Sequence, residues 1–69
     1  MLIARVTNDQ GDTVTSDLFD QHARAAMFCI ENSQVGDTCS IIEAYKSLTE
    51  LVEYGTIDTW VRQQENKYE

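Results

Sequence analysis

The chain contains no proline and only three glycines, two cysteines and one histidine among its 69 residues. Two cysteines are too few for the disulfide framework of a small secreted domain, so we expect Cys29 and Cys39 to be reduced and buried. The dispersed glycines form no phosphate-binding loop. Positive charge is also scarce, because five Lys and Arg residues stand against twelve Asp and Glu residues, for a net charge of −7. This balance argues against direct binding to nucleic acid or anionic lipid.

Targeting and membrane signals are also missing. Residues 1–5 do not combine a basic stretch with a long apolar run, as a secretory signal would, and no apolar run approaches the roughly 20 residues of a membrane span. Hydrophobic residues make up 42% of the chain, too many for intrinsic disorder. The sequence therefore predicts a cytoplasmic protein that folds as one compact acidic domain over residues 1–69.

The first half of the chain predicts a hairpin followed by a helix. Residues 2–7 and 13–16 are typical of strands, and residues 8–12 supply turn formers, with Gly11 suited to a positive φ. A helix is expected to begin at Asp17 or Asp20 and to end before Gly36. Its apolar stripe would comprise Phe19, Ala23, Ala26, Met27 and Ile30, with Phe28 outside it.

The second half admits two interpretations. Ser40 and Glu43 match a capping box, and an apolar stripe then runs at helical spacing as far as Gly55, which favours a helix. A further short helix would begin at Thr56. The alternative is two strands, for which residues 47–50 offer no Gly, Asn, Asp or Pro to make the turn. The expected fold is α+β, an N-terminal β-hairpin followed by two or three helices; the alternative is ββαββ with residues 38–57 as a second hairpin.

Catalytic and metal-binding patterns are weak. His22 lies two helical turns before Cys29, about 10 Å along the predicted helix, which is too far for a Cys–His catalytic pair. Adding Cys39 gives three zinc ligands, whereas structural zinc sites use four at close spacings. Asp9 and Asp12 flank a turn glycine without the calcium-loop register of an EF-hand. We therefore expect a protein that is not an enzyme and uses no metal or cofactor.

The acidic residues are the strongest functional signal. In the helical interpretation, Glu43, Glu50 and Glu53 share one face with carboxylates about 5–6 Å apart, and Asp58 extends the row. A second cluster surrounds the hairpin tip and the start of the first helix. Such a surface suits an arginine-lined groove of a DNA-binding protein, with Tyr54 as an aromatic anchor. The predicted partner-binding residues are Glu43, Glu50, Glu53, Tyr54, Asp58, Asp9, Asp12, Asp17 and Asp20.

In its size, its acidity and its lack of proline and of a catalytic set, the chain resembles small phage-encoded inhibitors of bacterial defences. It is most similar to the acidic anti-CRISPR proteins that act as DNA mimics. This resemblance covers the whole chain and rests on no motif, so no residue roles are transferred. It implies binding to the site where a CRISPR surveillance complex receives target DNA and its PAM duplex. The alternative is an interaction or oligomerisation module that uses an apolar patch of Phe28, Trp60 and Tyr68. A metal-binding or thiol-redox protein is a third hypothesis.

Overall fold

The computed structural model describes residues 1–63, which form one antiparallel sheet with a helix on one face. The sheet has the strand order β2-β1-β3-β4, so β1 and β3 are central and β2 and β4 are edges. The elements follow one another as β1 (Leu2–Thr7), β2 (Thr13–Phe19), α1 (His22–Glu31), β3 (Thr38–Lys46) and β4 (Leu51–Val61).

The N-terminal hairpin confirms the sequence prediction. β1 and β2 pair antiparallel from Leu2 opposite Phe19 to Thr7 opposite Thr13. In the connecting turn, the Asn8 side-chain oxygen accepts hydrogen bonds from the backbone N–H groups of residues 10 and 12, at 3.0 and 2.9 Å. Gly11 has φ +89°, the left-handed conformation for which a glycine was expected there. The side-chain hydrogen bonds of Asn8 and the positive φ of Gly11 thus form this turn, as expected of turn-forming residues.

The helix exists, but its predicted start and buried face were wrong. β2 continues to Phe19, so α1 begins only at His22. Ala25 and Cys29 are fully buried against the sheet, and Phe28 packs beside them, whereas Met27 is 53% exposed. The small side chains at positions 25 and 29 let the helix backbone approach the sheet closely, so residue size, which a count of apolar positions ignores, decides which side of α1 is buried.

The predicted second and third helices do not form, and the alternative of a second hairpin is correct. Residues 38–61 belong to β3 and β4, and α1 is the one helix within residues 1–63. The segment is rich in β-branched and aromatic residues, which favour strands. β3 is central and carries buried residues on both faces, so its sequence lacks the alternation that marks a half-buried strand. Its apolar residues therefore also fit a helical period.

The core lies on both faces of the sheet. The larger cluster, between the sheet and α1, comprises Ala4, Val6, Ala25, Cys29, Cys39 and Ile41. A smaller cluster of Ile3, Ile42 and Ala44 lies on the opposite face, which we call the open face because α1 does not cover it. No polar or charged side chain within residues 1–63 is buried. The two core clusters therefore consist of apolar side chains and the two cysteines.

Hydrogen bonds from Arg62, just after β4, connect the sheet to the C-terminal end of α1. The Arg62 guanidinium donates hydrogen bonds to the carbonyl oxygen of Ile30 and to the carbonyl and hydroxyl oxygens of Ser33. The Arg62 backbone bonds to Gly36 and Asp37 at 3.0 and 2.8 Å. Gly36 has φ +97°, the left-handed conformation expected of it, but it lies in the turn of residues 34–37 and not at the helix end, which is Glu31 with Asn32 as the C-cap. One residue thus joins the C-terminal end of α1, the following loop and the sheet.

Candidate interaction surface

The acidic residues lie at both ends of the sheet. Asp9 and Asp12 occupy the β1–β2 turn, and Asp37 lies close by because Thr38 pairs with the last residue of β1. β3 runs antiparallel to β1, so Glu43 and Glu50 lie towards the opposite end of a molecule whose longest dimension is 41 Å. Asp20 and Glu53 also lie towards the Glu43 end, because Phe19 pairs with Leu2 and Glu53 pairs with Ala44. Asp17 and Asp58 lie between the two ends, opposite Ala4 and Ile41.

The predicted helical row of carboxylates does not form, because its members lie on two strands and in the turn between them. Glu43 pairs with Leu2, whose side chain packs on the helix side, so Glu43 shares that face. Glu53 pairs with Ala44 and therefore lies on the open face. Glu50 belongs to the β3–β4 turn. The three glutamates thus surround the end of the second hairpin and do not line one side of an element.

This end of the hairpin projects beyond the rest of the sheet. The pairing of β1 with β3 begins at Leu2 opposite Glu43, and the Met1 backbone adds two further bonds to Ala44. Beyond that point β3 and β4 pair only with each other. We call residues 45–54 the arm. Its exposed large hydrophobic side chains are Tyr45, Leu48, Leu51 and Tyr54, and Leu48 at its tip is fully exposed.

Ser47 makes the arm's turn without any of the usual turn formers. Its hydroxyl group donates to the Glu50 carbonyl oxygen at 2.9 Å and accepts from the Glu50 N–H at 3.2 Å. The Ser47 N–H also donates to the Glu50 carbonyl oxygen at 2.8 Å. Serine hydroxyls stabilise turns by such local bonds, though less strongly than Asn or Asp. The sequence analysis overlooked this signal when it weighed the strand interpretation.

Two tyrosines form the most exposed aromatic feature of the arm. The rings of Tyr45 and Tyr54 lie 4.9 Å apart between centroids, with their planes tilted by 42°. The side chains are 44% and 70% exposed. Tyr54 is the extra residue of a β-bulge, since Glu43 pairs with Gly55 and Ala44 with Glu53. Bulges redirect side chains at sheet edges. Tyr54 was predicted to lie on this surface; Tyr45, whose place in the apolar stripe of the helical interpretation predicts a core position, is exposed as well, so that prediction is wrong.

Two of the predicted acidic residues lie within 4.0 Å of a basic side chain. Glu53 contacts the Arg5 guanidinium at 2.7 Å, and this hydrogen bond and charge hold the pKa of Glu53 below its usual value. β1 and β4 flank β3, so the Arg5–Glu53 pair spans β3 on the open face. Asp58 lies 3.4 Å from His22 Nε2 on the helix side. The other eight carboxylates of residues 1–63 have no such partner within 4.0 Å among the described residues.

The predicted metal and thiol ligands do not assemble into one group. Cys29 and Cys39 are free, fully buried and adjacent, and the Cys39 thiol donates to the Cys29 carbonyl oxygen at 3.7 Å. Burial, followed by the neighbouring Cys39, raises the pKa of the Cys29 thiol to about 11. His22 is directed towards Asp58 instead. Within residues 1–63 no three His, Cys, Asp or Glu side chains are arranged to hold a metal ion.

Two members of the apolar patch in the alternative hypothesis, Phe28 and Trp60, lie against the core. Phe28 and Trp60 are only partly buried, but both pack against the helix-side core cluster. Phe28 also contacts Phe19, with ring centroids 5.3 Å apart. Tyr68 lies outside the described residues. The exposed apolar side chains of the arm are a different set from the one that sequence analysis selected.

Comparison of the chain with family models, curated proteins and solved structures finds no match. Across residues 1–63, α1 is too short to cross a membrane, and no longer apolar helix is present.

Proposed function

We propose that this chain is a non-enzymatic binding protein that docks onto a basic, nucleic-acid-binding surface of another protein and thereby blocks it. The observation that carries the proposal is the surplus of exposed, unpaired carboxylates. Of the ten carboxylates in residues 1–63, nine are exposed, and only Glu53 and Asp58 have a basic side chain, Arg5 or His22, within 4.0 Å among the described residues. Their charge is therefore available to a partner.

The shape of the protein also supports this function. Its longest dimension of 41 Å equals about twelve base pairs of B-DNA at roughly 3.4 Å per pair. Carboxylates at both ends and along the edges present negative charge over that length. Duplex DNA presents negative charge to its binding groove over a similar length. The protein would therefore be drawn to such a groove by long-range electrostatic attraction as well as by direct contacts.

The narrower form of the proposal is an anti-CRISPR DNA mimic that acts in the cytoplasm and occupies the target-DNA or PAM site of a surveillance complex. It is supported by the chain's size and charge and by the resemblance that they carry. Adding the protein to purified surveillance complexes should abolish binding of labelled target duplex. Unchanged duplex binding across complexes of different types would refute this narrower form and leave the broader one standing.

The broader proposal is tested by capture and displacement. The immobilised full chain is exposed to a nuclease-treated bacterial lysate in about 50 mM and about 500 mM KCl, which changes the Debye length from roughly 14 to 4 Å. Captured proteins should be DNA-binding, should be lost in high salt, and should be released by added duplex DNA. Capture that resists both salt and duplex DNA would refute charge mimicry and favour a partner bound through apolar contacts.

Charge-reversed variants locate the interface. Glu43→Lys with Glu50→Lys changes the arm end, and Asp9→Lys with Asp12→Lys changes the opposite end by the same net charge. Glu53 is left unchanged because its reversal would also break the Arg5 ion pair. We expect the arm-end variant to lose capture and the opposite variant to retain most of it. Equal losses would show that overall charge, and not the arm, governs binding.

A further inference from the structure

We propose, as an extension of the function proposed above, that the arm carries a docking site for an arginine side chain of the partner. The site consists of Glu43, Tyr45, Tyr54 and Gly55, which we call the tyrosine notch. Glu43 and Gly55 lie at the base of the arm, level with Leu2 at the start of β1, and Tyr45 and Tyr54 are the first and last residues of the arm itself.

The register of the strands brings these residues together. Glu43 and Tyr45 are two residues apart on β3 and so project from the same face. Gly55 pairs with Glu43, and the bulge next to it places Tyr54 against Tyr45, with ring centroids 4.9 Å apart. A Cβ atom built on Gly55 would meet no atom within 4 Å, so open space lies beside Glu43. The notch therefore has an aromatic wall, a carboxylate and room for a side chain.

The charges around the notch favour a cationic occupant. Glu43 is exposed and has no cationic side chain within 4.0 Å among residues 1–63. Lys46, the one basic residue of the arm, lies on the opposite face, because it follows Ala44 by two positions. Arg5 is engaged by Glu53 on that same open face. The Met1 amino group lies nearby but donates to the Ala44 carbonyl oxygen. A partner's side chain would thus supply the positive charge that Glu43 lacks.

Arginine fits this environment better than lysine does. A guanidinium is planar and weakly hydrated, so it stacks on an aromatic face while its N–H groups bond to a carboxylate. A lysine ammonium offers only a compact, strongly hydrated charge. Tyr54 is 70% exposed, so most of its surface is accessible for such stacking. Arginines are also the residues with which basic grooves meet phosphates, which links the notch to the proposed class of partner.

The test uses the full chain and short peptides of defined composition, observed by NMR. The probe is a blocked glycine peptide with a central arginine, compared with the same peptide carrying lysine or the uncharged analogue citrulline. The arginine peptide should shift the ring signals of Tyr45 and Tyr54 in a saturable manner. The lysine peptide should bind about two- to fivefold more weakly, the size of an exposed cation–π contribution, and citrulline should give no saturable shift.

Two variants and a matched control separate the notch from the fold. Tyr54→Leu removes the aromatic face, and Gly55→Val fills the open space at a position without a positive φ. Both should abolish the saturable shift of Tyr45, whereas Tyr54→Phe, which keeps the ring, should preserve it. Dispersed amide signals show for each variant that the domain is folded. If Tyr54→Leu does not fold, the comparison of Gly55→Val with Tyr54→Phe still decides the result.

Three outcomes would overturn the inference: no saturable shift, equal binding of arginine and lysine or citrulline peptides, or shifts centred on Asp9 and Asp12. The peptide result is independent of the capture experiment. Peptide binding at the notch without capture of DNA-binding proteins would refute the proposed function but keep the arginine site. Salt-sensitive capture without peptide binding would support the proposed function but refute the arginine site.

Discussion

Replacing Arg62 tests whether one side chain holds the helix to the sheet. Its guanidinium donates to the Ile30 carbonyl oxygen and to two oxygens of Ser33, at 3.2 and 3.0 Å. These carbonyls lie at the C-terminal end of α1, where the helix dipole favours a cation by about 0.3–1 kcal/mol. Hydrogen bonds from a charged donor add about 1.5–3 kcal/mol. The gross contribution is therefore about 2–4 kcal/mol.

Part of that contribution is cancelled by the same side chain. Arg62 Nε is buried and has no hydrogen-bond partner among residues 1–63, and an unsatisfied donor costs about 1–3 kcal/mol. Arg62→Met removes both effects, so the expected net loss is about 1 kcal/mol. A domain of this size draws only about 3–5 kcal/mol from its core. The loss should lower Tm by about 4–8 °C.

Thermal and urea unfolding of the full chain provide the measurement. Arg24→Met is the matched control, since it removes the same charge from an exposed position on α1, and it should change stability by less than about 0.5 kcal/mol. Arg62→Lys should fall between the wild type and Arg62→Met, because it restores the charge without the unpaired Nε. If Arg62→Met and Arg24→Met lose the same stability, the side-chain bonds to the helix end contribute nothing and the reasoning is wrong.

Three further predictions concern particular contacts. Because the pKa of Glu53 is lowered, its ion pair with Arg5 stabilises the fold at pH values above the ordinary glutamate pKa. This stabilisation is lost as pH falls through the lowered pKa, so Glu53→Gln should flatten that part of an acid-unfolding curve. An unchanged curve would contradict the stabilising role of the ion pair. Cys29 and Cys39 are both fully buried, and burial raises the pKa of the Cys29 thiol to about 11. Both cysteines should therefore react with a thiol reagent at pH 8 only after unfolding, and rapid reaction of the native protein would disprove their burial. Ser47→Ala should destabilise the arm's turn by about 0.5–1.5 kcal/mol and Ser47→Asn much less, which urea unfolding measures; equal effects would rule out the side-chain bonds as the cause.

How far the sequence predicted the fold depends on whether the signal was local. The β1–β2 turn was identified because Asn8 and Gly11 act within five residues of one another. β3 was misassigned because its neighbours decide its structure. Pairing with β1 on one side and β4 on the other buries Ile41 and Ile42 on opposite faces. No local count reveals a strand that is apolar on both sides.

The candidate surface was predicted in composition but not in arrangement. Tyr54 was selected as a neighbour of Glu50 and Glu53 on one helix, whereas in the structure it packs against Tyr45 on the adjacent strand and precedes Gly55, the residue that pairs with Glu43. Glu53 was assigned to the same row but lies on the other face with Arg5, a contact between residues 48 positions apart. The sequence shows which residues are charged, but the register of the strands determines which residue each charge contacts.

If the unpaired carboxylates are kept for binding, their mutual repulsion should lower the unfolding free energy of the free protein. Two like charges about 10 Å apart in water repel by roughly 0.4 kcal/mol, so the several pairs here should sum to about 1 kcal/mol or more. Raising KCl from about 20 to about 300 mM screens them and should stabilise the wild type by that amount. Glu43→Lys with Glu50→Lys should be more stable than the wild type in low salt and gain less from KCl, while losing the partner. A wild type whose unfolding free energy ignores KCl would show that its charges do not repel one another appreciably. The charge imbalance would then cost the protein no stability, and the argument that it is kept for partner binding would fail.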